Sequence, residues 1–288
     1  MSRNKDRLGV GTPQPQNVAA PPQQTTAPAS GGGFSFVIPT EFVELPSRGK
    51  FYPPDHPLHN EETIEIKQMT AKEEDMLTSR SLLKKGIALD RVIESVIIDK
   101  SIRPHQLLIG DRNAIIVAMR VSGYGSDYNT NVECPACNTP QKYDFNLNEI
   151  EIFHGEHETQ HDVKALGGSF FTTTLPRTQV EVTFRLLSGA DERQMMQRLE
   201  GVRKRKGEEN LVTSQLRNMI VAVNGEQDPN DIAYVIENMP STDARHLRLT
   251  YKLIAPNVDM TQYFSCSSCD HEQELEVPLT ADFFWPDR

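Results

Sequence analysis

The chain carries four cysteines, and all of them fall in two Cys-x-x-Cys pairs, Cys134-Pro135-Ala136-Cys137 and Cys266-Ser267-Ser268-Cys269. A Cys-x-x-Cys turn aims two thiolates at one point. Two such turns supply the four soft ligands that tetrahedral zinc takes. The gap between the pairs is far longer than in a compact zinc ribbon, so the tertiary fold must bring them together. The expected metal ligands are therefore Cys134, Cys137, Cys266 and Cys269, closing one structural Zn2+ site. Two separate sites would each need further ligands. His271 lies near the second pair, and no histidine lies close to the first. Three other readings compete: buried reduced thiols, a redox pair, and disulfides. A redox Cys-x-x-Cys opens a helix after a buried strand, whereas Asn131-Val-Glu133 and Asn138-Thr-Pro140 make a polar turn here. Disulfides require an oxidising compartment.

A second pattern with chemical potential is His157-Glu158-Thr-Gln-His161. On a helix, histidines at this spacing can hold zinc while the glutamate activates water, as in a metallopeptidase. Such a helix is largely buried, but this stretch has almost no apolar residue, and Gly155, Gly167 and Gly168 bracket it. No third ligand is evident, and Glu181 belongs to a strand-like run. The stretch reads as a polar connector. The chain has no Gly-rich phosphate loop, nucleophile elbow or recognisable carboxylate pair, so the expectation is a non-enzyme.

The elements that position the cysteines repeat along the chain. At an offset of 132 residues (266 − 134), Asp111 falls on Asp243, Arg120 on Lys252, Tyr143 on Leu275 and Leu147 on Leu279. Asp111–Arg120 and Asp243–Lys252 both read as helices opened by an aspartate N-cap. Each leads through a polar stretch to its cysteine pair and then to an alternating run, Gln141–Leu147 or Gln273–Leu279. At an offset of 118 (188 − 70), the strand-like Ile64–Met69 and its capping box Thr70-Ala-Lys-Glu73 fall on Val182–Leu187 and Ser188-Gly-Ala-Asp191. The second half then holds about fourteen extra residues (132 − 118), for which the basic run Arg203–Glu209 is the candidate.

This organisation predicts an α+β fold of two degenerate strand–helix–Cys-x-x-Cys–strand halves joined at a four-cysteine zinc site. Its parts are a disordered Pro/Gln/Gly-rich tail over 1–33, a first half over 34–152, a His-rich connector over 153–168 and a second half over 169–288. The tail lacks the large apolar residues that would offset its ordering entropy. Residues Thr70 to about Lys85 predict a helix ended by Gly86, and Leu89–Ile98 a core helix. Ser122–Tyr128 reads as a flexible turn and Ser169–Leu187 as a hairpin turning at Pro176. Asp191–Arg205 predicts a helix with Met195, Met196 and Leu199 inward. Leu211–Val223 predicts a single helix, and Asp231–Met239 a shorter one. Phe283-Phe284-Trp285 would dock on the body or on a partner.

Charge points to the class of partner. Formal net charge is −10, and the first ten residues are +2, leaving about −12 on the rest. An acidic body argues against a nucleic-acid surface and for protein partners. No apolar run is long enough to span a bilayer, so no membrane contact is expected.

Several separated segments, in order, resemble one known family. They are Leu45-Pro-Ser-Arg-Gly-Lys-Phe-Tyr-Pro53, Met69-Thr-Ala-Lys-Glu-Glu-Asp-Met-Leu77, Leu107-Leu-Ile-Gly-Asp-Arg-Asn-Ala114, and Tyr128 followed by Cys134-Pro-Ala-Cys137. The chain from about Glu41 onward resembles the baseplate proteins of T-even-type contractile-tailed phages. The resemblance implies a baseplate hub subunit or a hub assembly factor, contacting other baseplate or hub proteins and able to form oligomers. It would work in the host cytoplasm during assembly or in the virion tail. The rival readings are a zinc metallopeptidase on His157, Glu158 and His161, and a generic zinc-stapled adaptor.

Overall fold

The computed structural model describes residues 37–84, 86–155, 162–204, 210–277 and 281–284. The predicted tail, the His157/Glu158/His161 pattern, the end of the basic run and Trp285 lie outside the described residues. The fold mixes α-helices with several small antiparallel sheets.

The chain begins with β1 (Thr40–Glu44) and β2 (Thr63–Lys67). They pair antiparallel with Val43 opposite Ile64. The alternation of β2 sends Ile64 and Ile66 into the core. A capping box then starts α1 (Ala71–Thr78): Thr70 and Glu73 satisfy each other's exposed helix-end donors. Ser79 adopts extended backbone, so the helix predicted from Thr70 to about Lys85 divides into α1 and α2 (Arg80–Lys84). Next, α3 (Ala88–Val96) buries Val92, Ile93 and Val96, and Ile97 then bridges to Ile66 beside β2.

Helix α4 (Ile109–Tyr124) starts earlier and ends later than expected. Asp111 sits in its first turn rather than at its N-cap, which is Leu108. The expected flexible turn over Ser122–Tyr128 shrinks to Gly125-Ser126. Gly125 takes a φ of 85° that favours glycine, and β3 (Asp127–Glu133) follows at once. The first cysteine pair is the turn of a hairpin between β3 and β4 (Pro140–Asn146), after which comes β5 (Glu151–Phe153).

The second series opens with β6 (Lys164–Gly167), β7 (Phe170–Thr174) and β8 (Glu181–Arg185). Helix α5 (Gly189–Lys204) follows, with Met196 more than half exposed rather than inward, because its position lies on the outer face of the helix. The predicted single helix over Leu211–Val223 is α6 (Leu211–Met219) followed by β9 (Ile220–Val223). The run Ile220-Val221-Ala222-Val223, β-branched at all but Ala222, fits the pleat beside β8, where Val223 faces Val182. The sheet order is β6-β7-β8-β9. The chain continues through α7 (Pro229–Asn238), α8 (Ser241–Ile254), β10 (Asn257–Asp259), β11 (Thr261–Ser265) and β12 (Glu272–Glu276). Asp243, like Asp111, lies in the first turn and not at the N-cap.

Polar anchors recur in the two series. Lys67 binds Glu73 at 2.7 Å and Arg185 binds Asp191 at 2.5 Å. The Thr70 hydroxyl donates to Glu73, and the Ser188 hydroxyl to Asp191. The turn after β1 gives Asp111 the Ser47 amide and hydroxyl, and the turn after β7 gives Asp243 the Thr178 amide and hydroxyl. Aspartate is needed because each receives several donors at once in a water-poor setting.

One hydrophobic core runs through both series, from Leu45, Ile66 and Ile115 to Phe184, Leu216 and Leu247. Backbone bonds cross between them: Ile109 N–H donates to Leu187 O, and Gly189 N–H to Leu107 O. β5 pairs with β10. Gly110 lets α4 approach the backbone of Pro256 and Asn257, where a Cβ would collide. Arg120 is fully buried and donates to the carbonyls of Phe283, Gly125 and Asp127, holding the segment Ala281–Phe284 against α4 and β3. Phe283 and Phe284 dock on the body, as one of the two expectations had it.

Candidate metal centre

Both cysteine pairs have the same local build. In the first, the Cys134 amide donates to Thr139 O and the Asn138 amide to Cys134 O. In the second, the Cys266 amide donates to His271 O and the Asp270 amide to Cys266 O. Asn138 and Asp270 close the turns with φ of 55° and 52°, in the left-handed region that Asn and Asp tolerate best among non-glycine residues. Neither β3 nor β11 was expected. Their polar alternation is only half apolar, which hid them as a "polar stretch".

The hairpins β3–β4 and β11–β12 pack face to face. Tyr143 O–H donates to Tyr263 O at 3.1 Å, and the Gln141 side-chain amide donates to Ser265 O. The Ser267 amide returns a bond to Gln141 Oε1, while Gln262 accepts from the Asn146 amide and donates to its carbonyl. Phe264 is buried against Tyr143 with ring centroids 5.1 Å apart.

This packing brings all four sulfurs together, so that they lie within 4.8 Å of one another. Cys134 Sγ is 3.8 Å from Cys269 Sγ, and Cys137 Sγ is 3.7 Å from Cys266 Sγ. Each short approach crosses from one hairpin to the other. A sulfur tetrahedron around zinc with bonds of about 2.3 Å has edges of about 3.8 Å. A disulfide needs about 2.05 Å, and the four cysteines are free thiols. The donor set thus fits a tetrahedral thiophilic ion and does not fit a bonded cystine. Cys134 and Cys266 are buried with Phe264 beneath the cluster, whereas Cys137 and Cys269 face outward.

Hydrogen bonds around the sulfurs favour thiolate. The Thr139 hydroxyl, 3.2 Å from Cys137 Sγ, and the Thr139 amide pull the Cys137 thiol down to about 6. The His271 amide favours thiolate at Cys269, but the neighbouring sulfurs, led by Cys137, push that thiol up to about 12. A divalent cation held here would bind the sulfurs as thiolates and release their protons. The Ser268 amide lies 3.4 Å from Cys266 Sγ, the kind of outer contact that orients a ligand. The His271 ring is taken up by Gln273 at 3.1 Å, and among the described residues no fifth side chain joins the cluster.

The sequence signal for the four cysteines was strong because both turns are local. Missed were the anchoring roles of Asp111 and Asp243 and the buried Arg120. Each of these works through partners distant in sequence. The third ligand considered for a peptidase, Glu181, lies at the start of β8, where its carbonyl accepts the Asn224 amide.

A family model described as T4 bacteriophage base plate protein matches residues 38–285. No curated protein and no solved structure matches the chain. The match covers almost the whole described body, including every element that builds the cysteine cluster, and on it the chain belongs to the T4 bacteriophage base plate protein family.

Proposed function

We propose that the chain is a non-enzymatic tail protein, a baseplate hub subunit or hub assembly factor, that acts through contacts with other baseplate and hub proteins. The observation that carries this reading is the family match over residues 38–285. The body is further read as two related halves, 34–152 and 169–288, linked by 153–168. The paired anchors at Glu73 and Asp191 and at Asp111 and Asp243 support that reading. Cys134, Cys137, Cys266 and Cys269 would hold one structural Zn2+, which would lock two hairpins whose cysteines lie more than a hundred residues apart. The surrounding residues seat the hairpins and hold Cys134 and Cys266 out of water. The protein would meet its partners in the host cytoplasm during assembly.

The test is complementation of a phage lacking this gene, with its tails examined by electron microscopy and the finished particles probed for the chain. Baseplates that fail without the gene and are restored by it support the reading. Retention in purified virions makes the chain a subunit, and loss from them makes it an assembly factor. Normal infectious tails without the gene overturn it. Zinc is tested separately by elemental analysis. One zinc per wild-type chain, lost in Cys266→Ser, is expected, and a zinc-free wild type sinks the metal centre.

A further inference from the structure

We propose that the outer edge of β1 accepts an extended strand from another protein chain, one carrying a large apolar residue flanked by basic side chains. The proposal rests on the reading that this protein works by protein contact, and it assigns that contact to a particular strand.

The second series shows how the same edge looks when filled. Gln68 N–H donates to Pro39 O beside β1, and Leu186 N–H donates to Ser169 O beside β7, both at 2.9 Å. Leu45 N–H donates to Glu62 O and Leu175 N–H to Val180 O, so β1 and β7 hold the same register on their partners. In β7 the backbone groups of Phe170, Thr172 and Thr174 point away from β8, and β6 pairs along that edge, with Lys164 opposite Thr172. In β1 the same alternation directs Thr40, Phe42 and Glu44 outward. Among the described residues no strand pairs there.

The tight glycine turn by which β6 reaches β7 has no counterpart directly before β1. The β6–β7 turn uses Gly167 and Gly168 at φ of 103° and 54°. The positions corresponding to them before β1 are Val37 and Ile38, β-branched residues for which a positive φ is strained.

Among the described residues the outer edges of β1 and β6 are both unpaired, and they differ in character as well. β6 has the features of a blunted edge: four residues, a register shift and Lys164. β1 has five residues in unbroken register, and Phe42 is 70% exposed on it. A lone exposed aromatic on a regular open edge is the feature that strand addition uses, with main-chain bonds for affinity and a side chain for specificity. Directly opposite Phe42 lies Glu65, beside it Glu44, whose carboxylate is 3.5 Å from the His154 ring, and just before β2 stand Glu61 and Glu62. Lys67 on the same face is bound to Glu73. This surplus of carboxylates selects a basic strand.

The test uses the full-length protein and a fluorescent peptide, Lys-Thr-Lys-Phe-Lys-Val-Lys-Thr, with hydrogen exchange and anisotropy as readouts. Binding should slow exchange at the Phe42 and Glu44 amides by roughly tenfold or more. Phe42→Ser, a surface change that leaves the core and the charge intact, should weaken binding by roughly tenfold or more. A peptide N-methylated at alternate residues should lose binding to a similar degree, because its ladder donors are gone. Equal binding of the N-methylated peptide, or equal binding by Phe42→Ser, overturns the proposal. So does protection of the Phe42 and Glu44 amides in the free monomer, which would make the chain's own residues the occupant. A dimer dissolved by Phe42→Ser would make the occupant a second copy and overturns it too. None of these outcomes depends on phage complementation, so a failure here leaves the family role standing.

Discussion

Ser47 gives Asp111 both its amide, at 3.0 Å, and its hydroxyl, at 2.6 Å, across 64 residues of chain. Tyr52 adds its hydroxyl to the same carboxylate at 2.6 Å and accepts the Leu108 amide at 3.0 Å. The loop after β1 is thereby tied to the first turn of α4. Burial raises the Asp111 carboxyl above its ordinary value, against the bonds from Ser47 and Tyr52. Burial and the Asp111 charge together push the Tyr52 hydroxyl well above its own.

Asp111→Ala strands three buried donors. The expected loss is about 3–5 kcal/mol of unfolding free energy in a denaturant titration. Asp243→Ala should cost less, about 1–2 kcal/mol, because the Arg177 and Thr178 amides it releases lie in a partly buried turn that water can reach. Equal losses would mean that the two anchors are energetically alike despite the different exposure of their donors.

Glu73 titrates far from its ordinary range. Burial pushes its carboxyl up, but bonds from Lys67, Ser95 and Thr70 outweigh it and hold the group down at about 2. A depressed folded value gives stability that is present above the unfolded value of about 4.3 and is lost as pH falls from there toward 2. Glu73→Gln should therefore cost roughly 2–3 kcal/mol at pH 7, and the gap to wild type should close between about pH 5 and pH 2. A gap independent of pH would assign the loss to packing alone.

Gly110→Ala places a methyl group against the backbone of Pro256 and Asn257, which cannot yield as a side chain tip would. The expected cost is about 2–4 kcal/mol, although alanine is the better helix former. A neutral or stabilised variant would show that α4 and β10 separate easily. Gly225→Ala, with open space around its Cβ position and a φ of 83°, tests backbone strain without a clash and should cost about 1 kcal/mol.

Removing a thiophilic ion should act on folding before anything else. Treatment with a zinc chelator should lower the melting temperature by several degrees or more, and Cys134→Ser should reproduce the shift without further response to chelator. Unchanged melting in both cases would leave the cysteines as plain packed thiols.

Features decided by neighbours a few residues away were legible in the sequence. The Thr70–Glu73 box, the strand alternation of Ile64 and Ile66, the helix of Val92, Ile93 and Val96 and both Cys-x-x-Cys turns all depend on short-range geometry. So did the family, whose separated segments stand in order along the chain.

What the tertiary structure decided depends on contacts the sequence does not encode locally. Ile220–Val223 leaves the predicted helix because β8 offers a strand partner, and Met196 turns outward because no element among the described residues covers it. Asp111 and Asp243 look like helix caps by type, yet each serves a turn more than sixty residues away, because a buried donor needs an acceptor wherever the fold places one. The meeting of the two cysteine pairs is the clearest case. Each pair determines its own turn, but only the face-to-face packing of two hairpins brings Cys134 to Cys269 and Cys137 to Cys266.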